Sequence, residues 1–170
     1  EKCGIVTKAN AADLERISRQ IKEARRQADF VIVTLHAHEG LNGDGHSTAP
    51  AEFVEEAAHT WIDAGADMFI GHGPHRVRPI EVYQGKLIFY SLGNFFFTIE
   101  STEKLPSESF DQHGLPDTAT PADVHDLWTK KNDGHPNIFM TKQAFWRTVL
   151  PVCQYEDREI KSVTLYPITL

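Results

Sequence analysis

Between residues 11 and 28, apolar side chains fall at Leu14, Ile17, Ile21, Ala24 and Ala28, with Arg16, Arg19, Lys22, Glu23, Arg25 and Arg26 in the gaps. A spacing of three and four predicts an amphipathic helix with a basic, solvated back. Asn10 or Asp13 can cap its first turn. The pattern then changes to Phe30-Val31-Ile32-Val33-Thr34-Leu35, apolar without alternation and rich in β-branched residues. That is the pattern of a strand covered on both faces. A Gly-rich polar loop over 40–47 leads to Pro50 and Glu52, which suit the first turn of a second helix. Val54, Ala57, Ala58 and Trp61 supply its apolar stripe, and Gly65 its C-terminal cap. Met68-Phe69-Ile70 is a second buried strand. Helix, strand, helix, strand with buried runs predicts an α/β sheet with parallel neighbours.

Beyond residue 78 the order becomes antiparallel. Pro79 to Tyr83, Gln84-Gly85, and Lys86 to Tyr90 read as a hairpin with glycine in its turn. Ser91-Leu92-Gly93-Asn94 is read as a structural turn, with Asn94 near the site as the alternative, and Phe95-Phe96-Phe97 as core or lid packing. Residues 98–137 are rich in Pro, Ser, Asp and Gly, which predicts a mostly irregular insertion at about 98–140. A short helix is expected within it at 121–130, with Thr120 as cap. Ala144 to Tyr155 and Ile160 to Pro167 flank the turn 156–159 as a closing hairpin.

With 170 residues the chain can bury a sizeable core as one domain. A formal charge of -7 argues against sequence-independent nucleic-acid binding, which needs a basic surface. No run approaches the roughly 18 apolar residues of a membrane span. Cys3 and Cys153 are too few and too far apart for a disulfide scaffold or a zinc knuckle, leaving two buried thiols or a single disulfide. Both ends are abrupt, as expected for a piece of something longer.

The chemistry gathers where the two buried strands stop. One ends in His36-Ala37-His38-Glu39, the other in His72-Gly73-Pro74-His75. Ligands of open α/β sheets bind beyond the carboxyl ends of the strands. If these strands are neighbours, up to four imidazoles and a carboxylate converge there. Neutral imidazole ligates zinc, iron, manganese and nickel, and a carboxylate adds charge neutralisation. The spacing leaves both a metal site and hydrogen-bonded strand-end histidines open. Glu39 reads either as a ligand or acid/base group or as a solvated carboxylate. His46, His59, His113, His125 and His135 are read as surface histidines. No G-x-S-x-G elbow, Walker loop or G-x-G-x-x-G follows a strand.

The series Ala28 to His36, then Ile62-Asp63-Ala64-Gly65-Ala66-Asp67-Met68-Phe69-Ile70-Gly71-His72-Gly73-Pro74-His75, resembles the CapA family, bacterial proteins of capsule and poly-γ-glutamate synthesis. Pro79 to Lys86, Ile88 to Phe95 and the closing Val163 to Ile168 strengthen the resemblance, which spans nearly the whole chain. It implies a calcineurin-like metallophosphoesterase fold, an α/β/β/α sandwich of two sheets between helices. This chain would be its C-terminal part, with parallel αβ units followed by antiparallel hairpins. By the same resemblance His36, His75 and His72 are expected as ligands of a divalent metal (Mn, Fe or Zn), with two ions in the complete domain. His72 and Glu39 are the expected catalytic groups. The early Asp and Asn-His ligands of the superfamily are absent from this chain. Where relatives carry His-Trp-Gly it has His36-Ala37-His38, and where they carry His-His-Pro-His it has Gly73 in second place.

The resemblance implies a metal-dependent hydrolase of a phosphoester or of an amide, including a γ-glutamyl bond. The alternative is a non-catalytic accessory or polymer-binding protein of capsule synthesis or export. A third reading is a fragment with histidines held only by hydrogen bonds. Other capsule-synthesis proteins and an anionic polymer are the implied partners, and the bacterial envelope or exterior the implied location.

Overall fold

A computed structural model describes residues 4–97, 102–129 and 142–169. The chain divides into two units, one of residues 1–95 with 146–170 and one of 96–145.

The larger unit is built on a four-stranded sheet. Helix α1 (Ala11–Gln27) opens it, and the Asn10 side chain accepts from the amides of Ala12 and Asp13, so Asn10 is the cap. Strand β1 (Ile32–His36) follows, then α2 (Glu52–Asp63), β2 (Met68–His72), β3 (Ile80–Tyr83) and β4 (Lys86–Phe89). The strand order is β1-β2-β4-β3, parallel across β1, β2 and β4, with β3 antiparallel to β4. Gln84 and Gly85 turn the β3–β4 hairpin with φ of 48° and 74°, the left-handed pair that suits the twist of a two-residue hairpin.

Alternation along the strands sorts the core into two clusters. On one face Phe69, Ile88 and Tyr90 pack with Ile21 of α1 and Val54, Ala57, Ala58 and Trp61 of α2. On the other, Met68, Leu87 and Phe89 meet Cys153, Tyr155, Ile160 and Val163 of the closing hairpin, β5 (Arg147–Glu156) and β6 (Glu159–Thr169). Each fully buried Phe, Leu or Ile contributes about 1.5–3 kcal/mol of burial free energy. The unit is thus helix on sheet on hairpin: α/β, with parallel αβ units followed by antiparallel hairpins.

Strand β1 departs from expectation. It lies at the sheet edge, and its residues alternate between half-buried and exposed, with Ile32 at 51% exposure. The helices cover Val33 and Leu35. The hairpin's apolar residues pack on β2 and β4, which leaves the Ile32 face of β1 open.

In the smaller unit, α4 (Pro121–Thr129) forms where the short helix is expected, and α3 (Ser107–Asp111) adds a turn of helix that the composition does not suggest. Asp123 accepts from both the amide and hydroxyl of Thr120, closing the N-terminus of α4. His125 is buried, contrary to the surface reading, and its ring centroid lies 5.5 Å from that of Trp128. The expected Phe95–Phe97 packing holds only for Phe97, which meets Phe145 edge-on, whereas Phe95 and Phe96 are 62% and 82% exposed. Cys3 and His135 lie outside the described residues. Cys153 is half-buried, and burial raises its thiol pKa.

Candidate metal centre

Parallel pairing brings the two histidine-bearing strand ends together. The register places His36 directly beside His72, and the amide of Ala37 donates to the His72 carbonyl at 2.9 Å. Gly73 makes this approach possible, and Gly71 allows the matching approach of β2 to the end of β4. A Cβ on Gly71 would lie 2.4 Å from the Tyr90 carbonyl oxygen, and one on Gly73, whose φ is +116°, would lie 3.0 Å from that of Ala37. After Pro74, His75 takes a left-handed φ of 53°. Such a conformation is costly for a side chain with a Cβ and tends to gather at functional sites.

Four imidazoles meet at this edge. His36 Nδ1 is 2.8 Å from His72 Nδ1, and His36 Nε2 is 3.0 Å from His38 Nε2. The ring of His38 lies 5.6 Å from that of His75, centroid to centroid. A neutral imidazole has one N–H and one lone pair. Neutral His36 can therefore donate to one neighbour only while accepting from the other, which couples the tautomers of His72, His36 and His38. His75 Nδ1 is 2.7 Å from Asn94 Oδ1. A carbonyl oxygen only accepts, so His75 donates from Nδ1, which in a neutral ring leaves the lone pair on Nε2.

Burial, reinforced by His36 and His75, lowers the pKa of His38. Burial and His36 lower that of His72. Both shifts run toward the neutral form, the one that ligates metals.

Glu39 is exposed, and its carboxylate has no hydrogen bond among the described residues. Its backbone is fixed instead. Arg78, only 2% exposed, donates from Nη1 to the Glu39 carbonyl at 2.7 Å and from Nη2 to the His38 carbonyl at 3.2 Å. Sequence reasoning passed over Arg78 entirely. It set His38 beside the others without giving it a role, and held Asn94 only as an alternative. The nearness of Arg78 to His75 in the chain was the one available signal.

These donors suit a divalent ion in kind. Two imidazoles bound at ~2.0–2.1 Å and at right angles would place their nitrogens roughly 3 Å apart, as the two short nitrogen pairs here are. They fall short in number. Among the described residues no three His, Cys, Asp or Glu side chains are arranged to hold one ion. The two nitrogens of His36 face different partners, so the cluster forms two edges rather than a cage.

Fold and site together define an α/β protein with an imidazole-lined carboxyl edge. A family model described as bacterial capsule synthesis protein PGA_cap matches residues 4–98, and the chain belongs to that family. An uncharacterized protein of Sinorhizobium fredii (strain NBRC 101917 / NGR234) is 36% identical over 173 residues, covering 98% of this chain and 36% of its own length. The PGA biosynthesis protein CapA of Bacillus subtilis (strain 168) is 38% identical over 120 residues, 68% of this chain and 30% of that one. A probable polyglutamine synthesis accessory protein of Mycobacterium tuberculosis (strain ATCC 25618 / H37Rv) is 42% identical over 78 residues, 46% of this chain and 19% of that one. The chain thus spans about a third or less of the curated relatives it matches. No helix among the described residues is long and apolar enough to cross a membrane.

Proposed function

We propose that this chain is part of a CapA-like protein of capsule or poly-glutamate synthesis, and that its strand-end histidines form one side of a divalent metal site. The observation that carries this reading is the pair of short nitrogen contacts, 2.8 Å from His36 to His72 and 3.0 Å from His36 to His38, at the shared end of two parallel strands. His36, His72 and His75 are the ligands from this chain, His75 through Nε2, with Asn94 fixing its tautomer. Manganese, iron and zinc all suit imidazole, and two ions with further ligands would complete the centre. Such a metal, when bound, polarises a phosphoryl or carbonyl oxygen and lowers the pKa of water, which is the chemistry of phosphoester or amide hydrolysis, a γ-glutamyl bond included. Glu39, exposed and with its backbone held by Arg78, is the proton acceptor this reading assigns, at its carboxylate.

A second reading is a non-catalytic platform that binds an anionic polymer and other capsule-synthesis proteins at the bacterial envelope. The absence of a three-ligand cage among the described residues favours it.

The test is elemental analysis and Mn²⁺ titration of the untagged chain, with His36→Ala and His75→Ala alongside. Near-stoichiometric metal lost in both variants supports the metal reading. Metal retained in either variant excludes that histidine as a ligand, and no uptake by the parent chain leaves the platform.

A further inference from the structure

Directly after His75 the chain carries Arg76 and Arg78, in a protein of formal charge -7. Neither guanidinium hydrogen-bonds a carboxylate among the described residues. Arg78 is buried, spends Nη1 and Nη2 on the carbonyls of Glu39 and His38, and keeps a buried Nε with no partner. Arg76 donates from Nη1 to the His46 carbonyl, and its Nη2 lies 3.0 Å from His46 Nδ1. Its Nε is likewise buried and without a partner.

Carbonyl dipoles satisfy N–H groups without neutralising a charge, and a buried guanidinium ordinarily has a carboxylate beside it. This fold does neutralise cations elsewhere: Arg25, Lys86 and Arg158 all pair with Asp67. Around Arg78 the balance runs the other way. Burial and Arg76 lower its pKa, against weaker opposing effects of Glu39 and Asp44. Asp44 is itself engaged, its carboxylate accepting from the His46 amide at 2.8 Å. Beside these arginines stand the imidazoles of His38 and His75. The edge therefore gathers cationic and neutral donors, with Glu39 exposed to solvent and without a hydrogen bond among the described residues. What the two guanidiniums lack, among the described residues, is a hydrogen-bonded anionic partner, and a ligand can bring one. Guanidinium matches phosphoryl and carboxylate oxygens in geometry as well as charge.

We propose that residues 38–46 and 75–78 form an anion-binding subsite beside the imidazole cluster, in which Arg76 donates to a phosphoryl or carboxylate group of the ligand while Arg78 holds the His38–Glu39 backbone and adds its uncompensated charge. The subsite rests on the reading of this edge as the ligand-facing site, and not on a bound metal. Arg76 contacts ligand. Arg78, enclosed, acts through the backbone it pins.

The test is calorimetric titration of chelator-treated protein with inorganic phosphate and, separately, with γ-glutamylglutamate, at low and at physiological salt. The parent chain should bind at least one of them saturably and more weakly as salt rises. R76Q should lose about tenfold or more in affinity, the value of one or two charge-assisted hydrogen bonds. R76K should lose less, and Mn²⁺ uptake by R76Q should match the parent. Phosphate binding alone assigns a phosphoryl ligand, and dipeptide binding alone assigns a carboxylate. Should R76Q not fold, the Arg76 Nε–H resonance of the parent chain decides the matter instead, since it must shift with the bound anion. Absence of saturable binding, or R76Q binding as tightly as the parent, overturns the subsite. Binding that requires Mn²⁺ and ignores R76Q also overturns it while upholding the metal. Metal-free binding lost in R76Q upholds the subsite even where no metal is taken up.

Discussion

Asp67 is fully buried at the amino end of β2 and accepts five hydrogen bonds, which makes it the most exacting place to test the packing argument. Oδ2 takes Arg25 Nη1 at 2.6 Å and the Val31 amide at 2.9 Å. Oδ1 takes Lys86 Nζ at 3.1 Å and Arg158 Nε and Nη2 at 3.0 and 2.8 Å. One carboxylate thereby joins α1, the start of β1, β4 and the turn of the closing hairpin. In Asp67→Ala three cations and a backbone N–H lose their acceptor at once. Breaking a buried pair from one side costs about 3–5 kcal/mol, and at about 2–4 °C per kcal/mol for a chain of this size the melting temperature should fall by about 6–20 °C. Lys86→Ala and Arg158→Ala, which leave Asp67 with other partners, should each cost less.

The acid limb checks the cause. Burial alone would raise the Asp67 pKa, but the Val31 amide, Arg158 and Lys86 outweigh it and hold the carboxyl below its ordinary value. A group depressed in the fold contributes stability that is fully present above the unfolded pKa of about 3.9 and is lost as pH falls through the folded value. The parent chain should therefore lose stability in that window, and Asp67→Asn should lack this component. Urea unfolding from pH 7 to pH 2.5 measures it. An Asp67→Ala variant within 1 °C of the parent, or equal acid slopes for parent and Asp67→Asn, would mean that the Asp67 network does not hold these elements together.

Two other substitutions probe the site. Gly71→Ala drives a Cβ to 2.4 Å from the Tyr90 backbone, so it should separate β2 from β4 at a cost of about 1–3 kcal/mol or more in chemical unfolding. Asn94→Ala removes the acceptor that fixes His75 Nδ1–H. On the metal reading, Mn²⁺ affinity should fall about 10–100-fold with little change in melting temperature.

The elements were legible because their periodicity is local. The α2 stripe of Val54, Ala57, Ala58 and Trp61 is buried as its spacing demands, and the Gln84-Gly85 turn lies where glycine placed it. The exposure of β1 was not legible, since Ile32 on an open face looks the same in sequence as Ile32 in a core. The Asp67 network was equally hidden, because its partners lie 19, 36, 42 and 91 residues away. At the candidate site the strand-end rule identified the histidines. It could not foresee Arg78, whose role runs through two backbone carbonyls and leaves no pattern in the chain.

Strand β2 carries opposite electrostatic situations at its two ends. At Asp67 an acid is over-matched by cations and buried, which suits a joint. Beyond His72 two guanidiniums stand beside imidazoles and hydrogen-bond no acid among the described residues, a poor way to stabilise a fold and a good way to receive an anion. The five residues of the strand put about 17 Å between these ends, beyond a physiological Debye length of ~8 Å. Stability effects of distant sites add to within about 0.5 kcal/mol. In the double variant Asp67→Asn with Arg76→Gln, the unfolding cost should therefore equal the sum of the single costs. Anion affinity should follow Arg76 alone. A coupling above 1 kcal/mol, or an anion affinity that moves with Asp67, would mean that the two ends are one network and that the arginines belong to the joint.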